Sequence, residues 1–168
     1  MVGKRILVIG CPGSGKSCFA RELAAMTGLA LFHLDMLYWN ADKTMVYNEV
    51  FHAHLQKILE KDTWIIDGNY ASTLEMRLNT CDTVFLLDYP AEICIEGVLA
   101  RMHKPRPDLP WTETETDPEF MDFIRSFRQN VQPGMLEALK QHDDKHIIIF
   151  RTREEAQRHL DKIKEGFI

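Results

Sequence analysis

The chain is poor in the features that announce most specialised classes. Its four cysteines are Cys11, Cys18, Cys81 and Cys94. They form no CxxC pair and no cluster with histidine, which favours free thiols over a zinc site or a disulfide framework. Long apolar runs are missing as well. The first, Ile6 to Ile9, is broken at once by glycine and proline and is too brief for a signal segment or a membrane span. A cytoplasmic protein without membrane contact is therefore expected. Positive charge is not in excess either, with 20 Lys and Arg against 25 Asp and Glu and a net charge of −5. A protein built to grip duplex DNA usually shows a basic face, because phosphate neutralisation supplies most of the non-specific affinity. The balance argues mildly against nucleic acid as the main partner, although a local basic patch could survive inside an acidic total.

What is present reads as one ordinary globular core. At 168 residues, 45% hydrophobic and 27% charged, the chain suits a single domain spanning 1–168. Short apolar runs, "RILVIG", "LALFHLD", "TWIIDG", "TVFLLDYP" and "KHIIIFR", read as five strands. Helical patterns separate them. "SCFARELAAMTG" closes at Gly28, and a helix in "NEVFHAHLQKILEKD" sets Val50, Phe51, His54, Leu55, Ile58 and Leu59 on one stripe. Pro90 can open another helix. From Lys104 to Pro118 the periodicity fails among prolines and alternating Thr and Glu, which marks a loop or lid at about 103–118. Beyond it Phe120, Phe123, Ile124 and Phe127 suggest a buried stripe, and a last surface helix follows the fifth strand. Strands joined by helices imply right-handed crossovers and a parallel sheet covered on both faces, a three-layer α/β fold.

One loop carries specific chemistry. Gly10-Cys11-Pro12-Gly13-Ser14-Gly15-Lys16-Ser17 fits G-x-x-x-x-G-K-[ST], with a strand before it and a helix after it. The glycines let successive backbone N–H groups turn inward around a phosphate, and the helix adds its positive end. Lys16 would reach the β- and γ-phosphates and the Ser17 hydroxyl would ligate Mg²⁺. Gly10, Pro12, Gly13, Ser14, Gly15, Lys16, Ser17 and Cys18 are thus the expected ATP contacts. Cys11, beside the helix N–H groups, is expected to favour its thiolate.

The N/T-K-x-D base-reading signature of GTPases is missing, and the chain is short for a motor. The segments "GCPGSGKS", "FHLD", "WIIDGNY", "LLDYP", "RPD" and "IIIFRTREE", in this order, resemble the adenylate-kinase-like topology-modulation (FlaR-type) proteins over nearly the whole chain. More broadly they resemble the P-loop nucleoside-monophosphate and shikimate kinase group. The resemblance implies a P-loop NTPase fold with a five-stranded parallel sheet ordered 2-3-1-4-5. It also implies Mg-ATP as cofactor and phosphoryl transfer to a small acceptor, possibly a nucleotide. The alternative it carries is a nucleotide-dependent regulator of DNA topology without turnover, for which these residues offer no physical basis.

Further candidates follow from the same resemblance. Asp67, at a strand end before Gly68, matches the aspartate that holds waters of Mg²⁺, and is favoured over Asp88. Here the chain departs from the adenylate kinases, reading Asp67-Gly68-Asn69-Tyr70. Asp35 matches an acceptor-orienting aspartate of the small-metabolite kinases, with a surface cap as its alternative. Arg77 could clamp an acceptor phosphate or carboxylate, or simply form a salt bridge. Arg101 and Arg106 match lid arginines that neutralise a transferring phosphoryl group, against a solvated charge run at a helix end. Arg125 or Arg128 could complete that clamp, although surface pairing is the simpler reading. Arg151 lies where the group contacts adenine. Tyr38 and Trp39 could line the acceptor pocket, and His33 reads as a packing or hydrogen-bonding residue.

Overall fold

The structure, a computed structural model, describes residues 3–166. Five strands, β1 (Arg5–Gly10), β2 (Leu31–His33), β3 (Trp64–Asp67), β4 (Thr83–Leu87) and β5 (His146–Phe150), form one sheet. The sheet is parallel throughout and ordered β2-β3-β1-β4-β5, the order that the resemblance implied. Residues Ile6–Gly10 of β1 and all of β3 and β4 are buried. These strands have helices on both faces, so their sequences are continuous apolar runs rather than alternating ones.

Among the described residues, eight α-helices surround the sheet: α1 (Lys16–Thr27), α2 (Leu34–Tyr38), α3 (Asn48–Leu59), α4 (Leu74–Leu78), α5 (Ala91–Arg101), α6 (Pro118–Asn130), α7 (Gln132–Lys140) and α8 (Arg153–Lys164). Their ends follow local chemistry. Gly28 takes the left-handed conformation that closes α1, its N–H donating to the Ala24 carbonyl at 2.9 Å. Asp117 accepts from the Glu119 N–H ahead of Pro118 to start α6, and Thr152 accepts from the Glu155 N–H to start α8. Among the described residues, no helix is long and apolar enough to cross a membrane.

Three local expectations need correction. On α3, Phe51, Leu55, Ile58 and Leu59 are buried, but Val50 and His54 face outward. On α6, Met121 takes the buried place expected for Phe123, which is 42% exposed. β2 is only three residues long, so Asp35 lies in the first turn of α2 instead of on a strand end. In each case packing against a particular neighbour overrode the apolar pattern.

Strand register decides what meets at the carboxyl edge. Val8 and His33 are both paired with Asp67 across the sheet, and Gly10 with Leu87. The ends of β2, β3 and β1 therefore converge beside the loop that enters α1. In open α/β sheets this edge is where ligands bind.

Candidate functional site

The loop between β1 and α1 is shaped by backbone conformation. Gly13 and Gly15 have φ of 82° and 91°, a region that favours glycine. At Gly13 there is also no space: a Cβ would lie 2.0 Å from the Cys94 carbonyl oxygen of α5. The approach is mutual, because a Cβ on Gly97 would lie 2.0 Å from the Gly13 oxygen. Helix α5 thus presses on the loop through two positions without side chains. The loop is also pinned from the turn after β3. The Gly10 N–H donates to Asn69 Oδ1 at 3.1 Å, and Asn69 Nδ2 donates to the Gly10 oxygen at 2.7 Å.

Cys11 does not become a reactive thiolate. It is buried, and its thiol is pushed up by a hydrogen bond with Cys94 and then by burial.

Two carboxylates organise the edge. Asp67, at the end of β3, is buried, and its Oδ2 accepts the Ser17 hydroxyl at 2.6 Å and meets His33 Nδ1 at 2.7 Å. Its Oδ1 is buried without a hydrogen-bond partner, and so is the Ser14 hydroxyl inside the loop. Buried polar atoms are normally satisfied, so these two oxygens fit groups that a ligand would bring. Among the described residues no group of three or more His, Cys, Asp or Glu could hold a metal. Mg²⁺ does not demand one: it is commonly held by one or two protein oxygens together with phosphates and waters. Ser17 and Asp67 are suitable oxygen donors for it.

Asp35 accepts the Tyr70 hydroxyl on Oδ1 at 2.5 Å. Burial and the Asp35 charge push the Tyr70 phenol upward, keeping it a donor.

Two clefts meet at the loop. The smaller, about 510 Å³, lies over Gly13–Ser17 and is also lined by Tyr89, Gly97, Arg153 and Gln157. The larger, about 890 Å³, contains Asp35, Tyr38, Trp39, Tyr70 and Trp111. Lys16, Ser17, Arg101, Arg106 and Asp108 line both. The two arginines are held in a chain of ion pairs. Arg101 Nε lies 2.8 Å from Glu113 Oε2, Arg106 lies 3.6 Å from both Glu113 and Asp108, and Arg21 pairs with Asp108 at 3.1 Å. Burial raises the Asp108 carboxyl, but Arg106, His33 and Arg21 outweigh it and hold the group below its ordinary value.

Other expected residues stand elsewhere. Arg77 is not an acceptor clamp. It is fully buried, and its guanidinium donates to the Gly68 carbonyl at 2.9 Å, to Tyr70 at 3.0 Å, to Thr73 at 3.3 Å and to Asn69. Burial pushes it down to about 10. It brackets the turn after β3, where Tyr70 sits at a φ of 41°, and its donors hold that strained conformation in place. Arg151, expected at adenine, lines neither cleft. It pairs with buried Asp88, which Arg128 also meets at 2.9 Å; Arg153, two residues on, lines the smaller cleft instead. Arg125 pairs with Asp122 on the surface at 2.5 Å. Asp88 is thus a structural anchor, and Cys18 lies at the mouth of the smaller cleft with the loop.

Sequence reasoning missed Asn69, Tyr70, Glu113 and Trp111. Only the departure at Asp67-Gly68-Asn69-Tyr70 signalled the first two. Nothing in the Thr/Glu alternation singles out Glu113.

Among solved structures, the crystal structure of shikimate kinase from Bacteroides thetaiotaomicron matches over 99% of this chain and 99% of that chain, with a TM-score of 0.60 and 16% identity. The fold is that of a P-loop kinase. At this identity the likeness speaks for the fold alone. The fold is the one the wider resemblance to P-loop kinases implied, and no comparison supports the narrower resemblance to the topology-modulation proteins. No protein-family model matches the chain, and no curated protein matches it.

Proposed function

We propose that the chain is a Mg-ATP-dependent phosphotransferase acting on a small acceptor, with the triphosphate in the smaller cleft and the acceptor in the larger. The observation that carries this reading is the position of Lys16 and Ser17 at the junction of two clefts, beside a buried Asp67 oxygen that lacks a partner. A binding-only protein needs one cleft, whereas group transfer needs two that share a reacting centre.

The roles follow from placement. Backbone N–H groups of the loop and the start of α1 cradle phosphate oxygens. Lys16 offsets charge on the terminal phosphoryl group, and Arg101, at the end of α5, and Arg106, in the segment 103–118, add to that from the lid side. Bound between Ser17 and Asp67, Mg²⁺ would supply charge neutralisation on phosphate oxygens. His33 and Ser17 both hydrogen-bond Asp67 and so orient its carboxylate. Asp35 holds the acceptor hydroxyl. The phosphoryl group passes through a loose transition state, so positioning is most of the task and a strong base is not needed. Domain 1–168 acts as one unit, with 103–118 as the segment that closes.

Incubation with γ-labelled ATP, Mg²⁺ and a panel of hydroxyl acceptors tests the reading by transfer of label. ATP binding with no transfer to any acceptor would count against it. The regulatory alternative at DNA has no observation of its own behind it, and an ATP-dependent gel shift would be its sign.

A further inference from the structure

The larger cleft has the wrong charges for an anionic acceptor. An acceptor phosphate or carboxylate needs charge-assisted donors, usually a bidentate guanidinium, and the arginine expected for that role, Arg77, is spent on four carbonyl oxygens. The two guanidinium groups that do line this cleft, Arg101 and Arg106, serve the transferring phosphoryl group in the reading above and stand beside Glu113 and Asp108, Arg101 at 2.8 Å and Arg106 at 3.6 Å, so neither is left over for an acceptor anion. Lys16 faces both clefts and belongs to the phosphate chain. Only Lys43 remains, and its ammonium sits 5.9 Å from the Trp111 ring centre. Against it stand Asp35, Glu115 and Asp117 on the same wall, none of which forms an ion pair among the described residues. A nucleoside monophosphate would bring nearly two more negative charges into this surface.

What the cleft does offer is flat apolar area and one hydroxyl acceptor. Tyr38 meets Trp39 edge-on at 5.0 Å and Tyr70 at 4.8 Å, while Trp39 meets Trp111 at 5.7 Å. This aromatic wall suits a planar ring. Asp35 is fixed by the Tyr70 hydroxyl on one oxygen and keeps its second oxygen for a ligand donor.

We propose that the acceptor is an uncharged compound carrying a flat ring and a hydroxyl, of the nucleoside class, rather than a nucleoside monophosphate or a hydroxy acid. The transfer step rests on the phosphotransferase reading above; the binding preference does not. In that step the acceptor hydroxyl oxygen forms a bond to the γ-phosphorus. The bond from that phosphorus to the bridging oxygen breaks, its electron pair leaving with ADP. The hydroxyl proton passes to Asp35 and then to water.

Binding decides the proposal without turnover. With the full chain saturated by Mg-ADP to fill the smaller cleft, adenosine, guanosine, cytidine, thymidine, their monophosphates and shikimate are titrated, with calorimetry and tryptophan fluorescence as readouts. At least one nucleoside is expected to bind about tenfold or more tightly than its own monophosphate, with its signal lost in Trp111→Phe. Glu113→Gln removes the carboxylate beside Arg101 and Arg106, and is expected to raise monophosphate affinity about tenfold relative to the nucleoside's. A monophosphate or shikimate binding more tightly than every nucleoside, or no nucleoside binding at all, overturns the proposal. The wild-type comparison stands even if a variant fails to fold. Label transfer from γ-labelled ATP is read separately. Selective nucleoside binding with no transfer overturns the phosphotransferase reading and supports the acceptor class. Transfer to a monophosphate in preference to its nucleoside does the reverse.

Discussion

The two clefts share Lys16 and Ser17 yet are built in opposite ways. The smaller contains one unbroken run, Gly13 to Phe19, together with residues of α5, α8 and 104–108, and its expected ligand contacts are backbone N–H groups and a helix end. The larger draws on residues from Pro12 to Phe123, many of them in loops and turns, and presents side chains. Backbone donors recognise any triphosphate, so such a cleft can be specified by glycine spacing alone. A side-chain cleft must be assembled, and one residue moved between roles changes what it accepts. Arg77 is that residue here: its guanidinium faces carbonyl oxygens inside the turn after β3 instead of the larger cleft.

The sharpest way to break the contrast is Arg77→Ala. If the guanidinium is a bracket, its loss leaves a cavity and four unpaired carbonyls, and unfolding stability falls by on the order of 3–5 kcal/mol. Denaturant titration reads this. An unchanged midpoint with a lost acceptor KM would return Arg77 to the clamp role. Next comes Lys16→Ala, which removes charge at the junction of the clefts. Turnover should fall roughly 10²–10³-fold with thermal unfolding little moved, and parental activity would dismiss the junction as the reacting centre.

Asn69→Ala tests the pin between the clefts. It deletes both hydrogen bonds to Gly10, costing about 1–2 kcal/mol of stability and weakening ATP binding measured by calorimetry; equal loss of acceptor and ATP affinity would show global loosening instead. The smallest effect belongs to Arg151→Ala. That side chain is 60% exposed, so its pairing with Asp88 is worth less than about 1 kcal/mol, and ATP affinity should not change. Arg153→Ala, beside it, should weaken ATP binding. The opposite ranking would place adenine at Arg151 after all.

Legibility followed the same divide. The five apolar runs, the loop and Asp67 at the end of β3 could all be read because each depends on neighbours close in sequence. Asp35 was legible by position but not by element, since β2 stops at His33 and a helical turn takes over. The arginines were legible as charge and misread as to partner. Arg77, Arg128 and Arg151 each find oxygen acceptors brought near by the turn after β3 or by Asp88 at the end of β4. Cys11 was misjudged for a related reason, as its surroundings come from Cys94 on α5 rather than from the helix it precedes.

By itself, then, the order of residues determined a parallel sheet, a glycine-rich turn and a lysine at its end, because glycine torsions and apolar periodicity are local properties. Only the folded chain decided which carboxylate each arginine would meet, which aromatic rings would share a wall, and that Asp67 would keep one oxygen free. Those outcomes depend on strand register and on contacts dozens of residues apart, where burial makes an unmatched charge costly and selects the partner that lies within reach.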